Sequence, residues 1–334
     1  EEALICSRSR YLYTIWKKGR NTVTAEKLLS VAEEVEKVIL GKKEQVREVL
    51  TAMVAGGNIL MDDIPGVGKT TLALCFAEAF CLEHRRIQFT SDIMPSDLTG
   101  FSVFVREKET FAYKPGPVFC NLLLADEVNR TSPRTQSALL EVMEEHKVTV
   151  DGVTRRVPEP FTVIATQNPY GSIGTQMLPD SQVDRFMVSL SMGYPDRESE
   201  ILMAKAVGEA EKTANIRGVM SAEELAGAID EASRVYMADD VYSYIVSIVG
   251  ATRGDKRLAH GASPRATIAF VKTARASALL DGRDFVIPRD VEEQAAYVLS
   301  HRLRLSAASG ASGADVNEII SEIVSGVKKP AVGE

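Results

Sequence analysis

The sequence predicts an α/β protein: a doubly wound, parallel five-stranded sheet followed by a smaller all-α domain. Three observations predict it. Five short apolar runs, near 58–62, 86–90, 121–126, 161–166 and 187–190, alternate with stretches of helical spacing, the rhythm a parallel sheet requires. Leu122-Leu123-Leu124-Ala125 is continuously apolar, as expected of a central strand covered on both faces. After Tyr194-Pro195-Asp196 only helical patterns remain. The 334 residues are long for one domain and comfortable for two. We therefore divide the chain into an N-terminal extension (1–24), an α/β core (25–194) and an all-α domain (195–334).

The extension carries Arg8, Arg10, Lys17, Lys18 and Arg20 beside Tyr11, Tyr13 and Trp16. It has no apolar run ahead of a small-residue cleavage site, so it does not read as a secretory signal. A disordered arm and a helical one both suit it. Residues 27–54 then place Leu28, Leu29, Val31, Val35, Val38, Val46, Val49, Leu50 and Met53 at helical spacing.

The first strand ends at Asp62, and a helix is expected over Thr70–Ala79. Between them runs Asp63-Ile64-Pro65-Gly66-Val67-Gly68-Lys69-Thr70. Strand, glycine-rich turn and helix make a phosphate loop: permissive glycines turn backbone N–H groups inward, and the helix N-terminus adds partial positive charge. Pro65, Gly66, Val67, Gly68, Lys69, Thr70 and Thr71 are the candidate phosphate-binding residues. Lys69 would reach the β- and γ-phosphates of ATP, and the Thr70 hydroxyl would hold Mg²⁺. The strict pattern expects glycine where this chain has Asp63.

About 57 residues on, the central strand delivers Asp126 and Glu127 at its C-terminal end, where open α/β sheets place ligands. Asp126 is the candidate metal carboxylate and Glu127 the base that orients and deprotonates the attacking water. Ser132-Pro133 then caps and starts a helix. Arg130 and Arg134 flank that start; a solvated basic turn and contact with a neighbouring subunit both suit them. The strand at 161–166 leads into Gln167-Asn168-Pro169, and Asn168 is the candidate to touch the lytic water or γ-phosphate. Asp184-Arg185-Phe186 precedes the last strand, a place from which Arg185 can be offered to the next subunit's nucleotide.

Two segments interrupt the rhythm. Residues 101–118 alternate around a charged turn, and 147–157 alternate around Asp151-Gly152, so both are expected to be hairpins. Phe101, Phe104 and Tyr113 suit either client contact or ordinary packing. Tyr194-Pro195-Asp196 marks the expected hinge, and beyond it helices are expected over 196–207, 221–236, 239–253, 264–280, 288–304 and 315–327.

Pro-Gly-Val-Gly-Lys-Thr, Leu-Leu-Ala-Asp-Glu-Val-Asn-Arg, Ala-Thr-Gln-Asn-Pro and Gln-Val-Asp-Arg-Phe, in this order and spacing, resemble an AAA+ ATPase of the MoxR family. Gln88–Gly100 and Gly261–Ala266 resemble it too, so the likeness runs from about residue 25 to about residue 330. The resemblance implies a P-loop core with sheet order 5-1-4-3-2 and an all-α lid. It implies hydrolysis of ATP to ADP and phosphate with Mg²⁺, in a homo-oligomeric ring, expected to be a hexamer. By the same likeness Arg185 is the arginine finger, Asn168 is sensor 1, and Arg265 is sensor 2, reaching the γ-phosphate of its own subunit. Leu40 and Gly41, within Val38–Gly41, would pack on adenine. The implied client is a protein complex or enzyme needing maturation or cofactor insertion, often with a von Willebrand factor A domain partner.

Composition narrows the field. A net charge of −7 argues against a broad grip on nucleic acid, so no nucleic-acid partner is expected. A nucleic-acid motor would lean on Arg155 and Arg156 of the second hairpin, and a switch with little turnover is the other alternative. No apolar run approaches the ~20 residues of a membrane span. Cys6, Cys75, Cys81 and Cys120 lack metal-ligand spacing. Cys75 and Cys81 are expected to be buried thiols in a reducing, cytoplasmic compartment.

Overall fold

The computed structural model describes residues 21–64, 66–167, 177–205 and 216–331. The core runs α1 (Asn21–Glu36), α2 (Lys43–Val54), β1 (Ile59–Asp62), α3 (Lys69–Ala79), β2 (His84–Gln88) and α4 (Pro95–Thr99). It continues with β3 (Gly100–Val105), β4 (Thr110–Pro115), β5 (Leu122–Asp126), α5 (Pro133–Glu145), β6 (Lys147–Val150) and β7 (Val153–Arg156). It closes with β8 (Thr162–Gln167), α6 (Asp180–Val183) and β9 (Val188–Leu190). The lid comprises α7 (Arg197–Lys205), α8 (Ala222–Ser233), α9 (Asp239–Gly254), β10 (Leu258–His260) and α10 (Pro264–Leu280). After these come α11 (Pro288–Leu299), β11 (Arg304–Leu305), α12 (Ala307–Ala311) and α13 (Val316–Gly326).

The central sheet is parallel with order β2-β5-β8-β1-β9, the 5-1-4-3-2 order when only its own strands are numbered. Burial accounts for β2 at one edge, while β9 at the other edge is buried throughout. β5 and β8 are buried at every residue and sit inside; β2 reads His-Arg-Arg-Ile-Gln, exposes both arginines and takes the edge. Alternate strand residues feed two apolar layers. Ile59, Met61, Leu122, Leu124, Ile164 and Val188 face α1, α2, α3 and the lid, whose Phe270, Val291 and Leu299 join the same cluster. Leu60, Leu123, Ala125, Val163 and Ala165 face Leu139, Leu140, Val142 and Met143 of α5. Core and lid thus share one apolar layer.

Both hairpins form where alternation predicts them, β3 on β4 and β6 on β7. Asp151 and Gly152 have φ of 53° and 74°, the left-handed pair a two-residue turn demands. The hairpins hold each other: the Arg155 guanidinium lies 3.8 Å from the Tyr113 ring centroid, and the Tyr113 hydroxyl donates to the Thr99 carbonyl. Tyr113 is therefore committed to packing, as is Arg155, on which a nucleic-acid reading would lean. Phe101 and Phe104 stay exposed, joined by Phe111.

The helical pattern over 27–54 forms two helices, α1 ending at Glu36 and α2 starting at Lys43, with Gly41 (φ 70°) in the turn between them, where a Cβ would come within 2.3 Å of Ser199 Oγ. Two expectations need correction. The expected helix 288–304 stops at Leu299, because Arg302 turns inward to the core and Arg304 pairs with β10, so the lid carries a small antiparallel ladder. Cys81 lies just past α3 with φ 49° and is exposed, whereas Cys75 and Cys120 are buried, burial pushing both thiols up to about 12. Among the described residues no helix is long and apolar enough to cross a membrane.

Candidate nucleotide-binding site

The phosphate loop leaves β1 at its C-terminal end. Gly66 and Gly68 have φ of 88° and 92°, which L side chains resist, and nothing lies within 4 Å of where a Cβ would stand on either. The loop backbone is open to space at both glycines. Gly68 caps α3, so the N–H groups of Lys69, Thr70 and Thr71 fall in the first turn, which has no intrahelical acceptors. Lys69 donates to the Asp63 carbonyl at 2.7 Å. Burial pushes its ammonium down, opposed by the carboxylates of Asp63, Asp126, Asp62 and Glu127. Pro65 and Asn168 lie outside the described residues.

Asp63, the departure from the strict motif, has a structural task. Its carboxylate accepts from the backbone N–H groups of Ile64, Met192 and Gly193, the last at 3.0 Å. The loop is thereby tied to the segment leaving β9, just before the hinge. The Val38–Gly41 turn sits beside that hinge too: Lys42 donates to the Tyr194 carbonyl, and Gly41 abuts Asp196 and Ser199.

Asp126 is buried, and its two oxygens are held differently. Oδ1 accepts from the Thr166 hydroxyl at 3.0 Å, while Oδ2 accepts from Arg86 Nε at 2.8 Å. Glu127 stands in the left-handed region (φ 56°, ψ 48°), its N–H donating to the Thr166 Oγ at 2.9 Å. Thr166 thus ties the Asp126 carboxylate to the Glu127 backbone. Strained backbone at a strand end is common where a side chain must be aimed. The Glu127 carboxylate accepts from Arg130 at 2.7 Å. Arg130, read from sequence as a turn or neighbour-contact residue, is thus in this chain a partner of Glu127. Arg134 is exposed.

Arg185 and Arg265 lie elsewhere. Arg185 pairs with Glu144 Oε2 at 3.2 Å, and Arg265 with Glu144 Oε1 at 2.5 Å. β9 is parallel to β1, with Ile59 opposite Val188 and Met61 opposite Leu190, so Arg185 stands at the N-terminal rim of the sheet. At ~3.3 Å per residue, that rim is roughly 20 Å from the end that carries the phosphate loop. The lid is pinned there: Ser263 donates to Asp184, and buried Arg302 pairs with Asp184 and donates to the carbonyls of Phe186 and Met187. The reading of Arg265 as a residue that reaches its own subunit's γ-phosphate does not fit this placement. The lid docks on the segment leading into β9, and Arg265 goes with it.

Sequence reasoning missed Thr166, Arg86, Glu144 and Arg302. The first follows the alternation of β8; the others needed the tertiary neighbours. The donor set suits a triphosphate with a divalent ion: an open backbone cradle, an ammonium, a hydroxyl at Thr70 and a buried carboxylate at Asp126.

Residues 58–188 match the family model described as ATPase family associated with various cellular activities (AAA), and 250–323 match an AAA lid domain. The uncharacterized protein YeaC of Bacillus subtilis (strain 168) is 42% identical over 298 residues, 89% of this chain and 93% of that protein. Chaperone MoxR1 of Mycobacterium tuberculosis is 37% identical over 308 residues, 90% of this chain and 81% of that protein. A solved structure of a Cytophaga hutchinsonii protein superposes with a TM-score of 0.87 at 36% identity, covering 93% of this chain and 97% of that one.

Proposed function

Because the chain belongs to the MoxR family of AAA+ ATPases, we propose that it hydrolyses ATP at sites shared between subunits of a homo-oligomeric ring, hexameric in our reading. The coupled work is remodelling or maturation of a protein client, with a von Willebrand factor A domain protein as the partner class. A protein named as a chaperone among its relatives supports that work.

The surroundings of the described residues support the parts given to them, and Asn168 takes its part from the family resemblance alone. Lys69 exchanges the Asp63 carbonyl for β- and γ-phosphate oxygens, and the N–H groups of Gly66 to Thr71 cradle the chain. Leu40 and Gly41, beside the hinge, take the adenine side. Thr70 and Asp126 would hold Mg²⁺, which when bound offsets charge on the phosphates. Glu127, aimed by its strained backbone and held by Thr166 and Arg130, orients and deprotonates the water. Asn168 assists at the γ-phosphate. Arg185 and Arg265 complete the next subunit's site, where two guanidinium groups stabilise charge developing on the transferred phosphoryl.

One observation carries this reading: both arginines converge on Glu144 at the rim opposite their own phosphate loop. The test is subunit mixing. Arg185→Ala and Glu127→Gln are each expected to be nearly inactive, and mixing them should restore part of the ATPase rate, since one lends Glu127 and the other Arg185. Mixing Arg265→Ala with Glu127→Gln should do the same. No recovery in the first mixture removes the shared site; recovery in the first alone returns Arg265 to its own nucleotide.

A further inference from the structure

Arg86 and Asp126 form an ion pair that the hydrolysis scheme does not use. Arg86 stands on the edge strand β2, opposite Leu124 in register, and Asp126 is two residues further along the same face of β5. Residues two apart on one face are ~7 Å apart, a span that an arginine stem covers. The guanidinium reaches forward so that Nε (2.8 Å) and a terminal nitrogen (2.7 Å) both meet Asp126 Oδ2. Thr166 occupies the other oxygen. The Asp126 side chain is 9% exposed and that of Arg86 53%. A buried carboxylate without a cation would be costly, whereas a half-exposed arginine leaves easily for water.

We propose that Arg86 is a built-in cation surrogate. It neutralises Asp126 while the site holds no nucleotide and yields that carboxylate when Mg²⁺ accompanies ATP. The proposal rests on the reading of Asp126 as the metal carboxylate. Arg86 is a positioning residue: it keeps Asp126 folded in place without metal and sets how much Mg²⁺ is needed to claim it. Both cations cannot hold Oδ2 with full strength, because the arginine's positive charge weakens the carboxylate's field at the metal. The asymmetric grip on the two oxygens fits this division, Thr166 being neutral and permanent, Arg86 charged and displaceable.

The test is an equilibrium titration with a non-hydrolysable fluorescent ATP analogue, with Mg²⁺ varied, on the full chain and on Arg86→Gln, Arg86→Lys and Arg86→Ala. Arg86→Gln should lower the Mg²⁺ concentration at half-saturation by about threefold to tenfold, the range for losing a charge-assisted bond to a half-exposed partner. Arg86→Lys should lie between it and the parent. In parallel, the melting temperature without nucleotide should fall in Arg86→Gln, while that with saturating Mg²⁺ and analogue should change little. An unchanged midpoint, or a higher Mg²⁺ requirement, overturns the proposal, since Arg86 would then be inert or an aid to metal binding. If the parent chain shows no Mg²⁺-dependent binding, the ATP-site reading fails instead. Should Arg86→Ala not fold, the Gln and Lys variants carry the test.

Discussion

Replacing Arg302 by Met should destabilise the protein strongly. Its side chain is 2% exposed, and its ion pair with Asp184 Oδ1 is 2.9 Å long. The same guanidinium donates to the carbonyls of Asp184, Phe186, Met187 and Val298. Methionine matches the length of the stem but none of these five bonds. Asp184 keeps only Ser263 and a distant Arg265, and four carbonyls lose a donor in a region closed to water. Breaking a buried pair from one side costs about 3–5 kcal/mol. Equilibrium urea unfolding followed by circular dichroism measures it. Arg302→Met with Asp184→Leu should recover part of the loss, because no charge is then stranded. A loss below about 1 kcal/mol for the single variant would refute the reasoning. So would a double variant less stable than the single one.

Three further outcomes are expected. Glu48 lies buried between α2 and α11 beside Gln294, and burial pushes its carboxyl up from 4.5 to about 7. The folded state therefore binds this proton more tightly, so the contribution is full below about pH 4.5 and lost as pH rises through about 7, about 3 kcal/mol in all. Glu48→Gln should flatten stability between those pH values, and an unchanged pH slope in urea unfolding would contradict it. Asp63→Gly restores the strict loop motif yet strands the N–H groups of Met192 and Gly193; we expect a loss of about 2–3 kcal/mol and weaker ATP binding, and equal or better values by calorimetry would oppose it. Glu144→Ala frees both rim arginines, so half-maximal ATPase should need a protein concentration lower by about twofold to fivefold; an unchanged concentration dependence would show that Glu144 does not restrain them.

Much of the site was legible because its residues are local to single elements. Gly66 and Gly68 with Lys69 and Thr70 are read from one turn, and Asp126 with Glu127 from one strand end. Asp151-Gly152 named its own hairpin. Short-range signals failed where a side chain serves a remote partner. Tyr113 resembles a client-facing aromatic until Arg155 is found on its ring. Arg130 resembles a solvated turn until its i,i+3 carboxylate proves to be Glu127. Asp63 looks like a flaw in a motif until Met192 and Gly193, about 130 residues later, supply the donors it was missing.

The sequence by itself determined the layered α/β class, the order of strands and helices along the chain, and which residues stand at the C-terminal ends of β1 and β5. Apolar periodicity, glycine dihedral freedom and helix polarity act over a few residues, and those residues are adjacent in the chain. Only the tertiary structure decided which carboxylate each arginine meets: Asp126 for Arg86, Glu127 for Arg130, Glu144 for Arg185 and Arg265 together, Asp184 for Arg302. The physical reason is reach. A guanidinium stem spans several ångströms in any direction, so its partner is chosen by how layers stack and where the lid docks, quantities that no local pattern encodes.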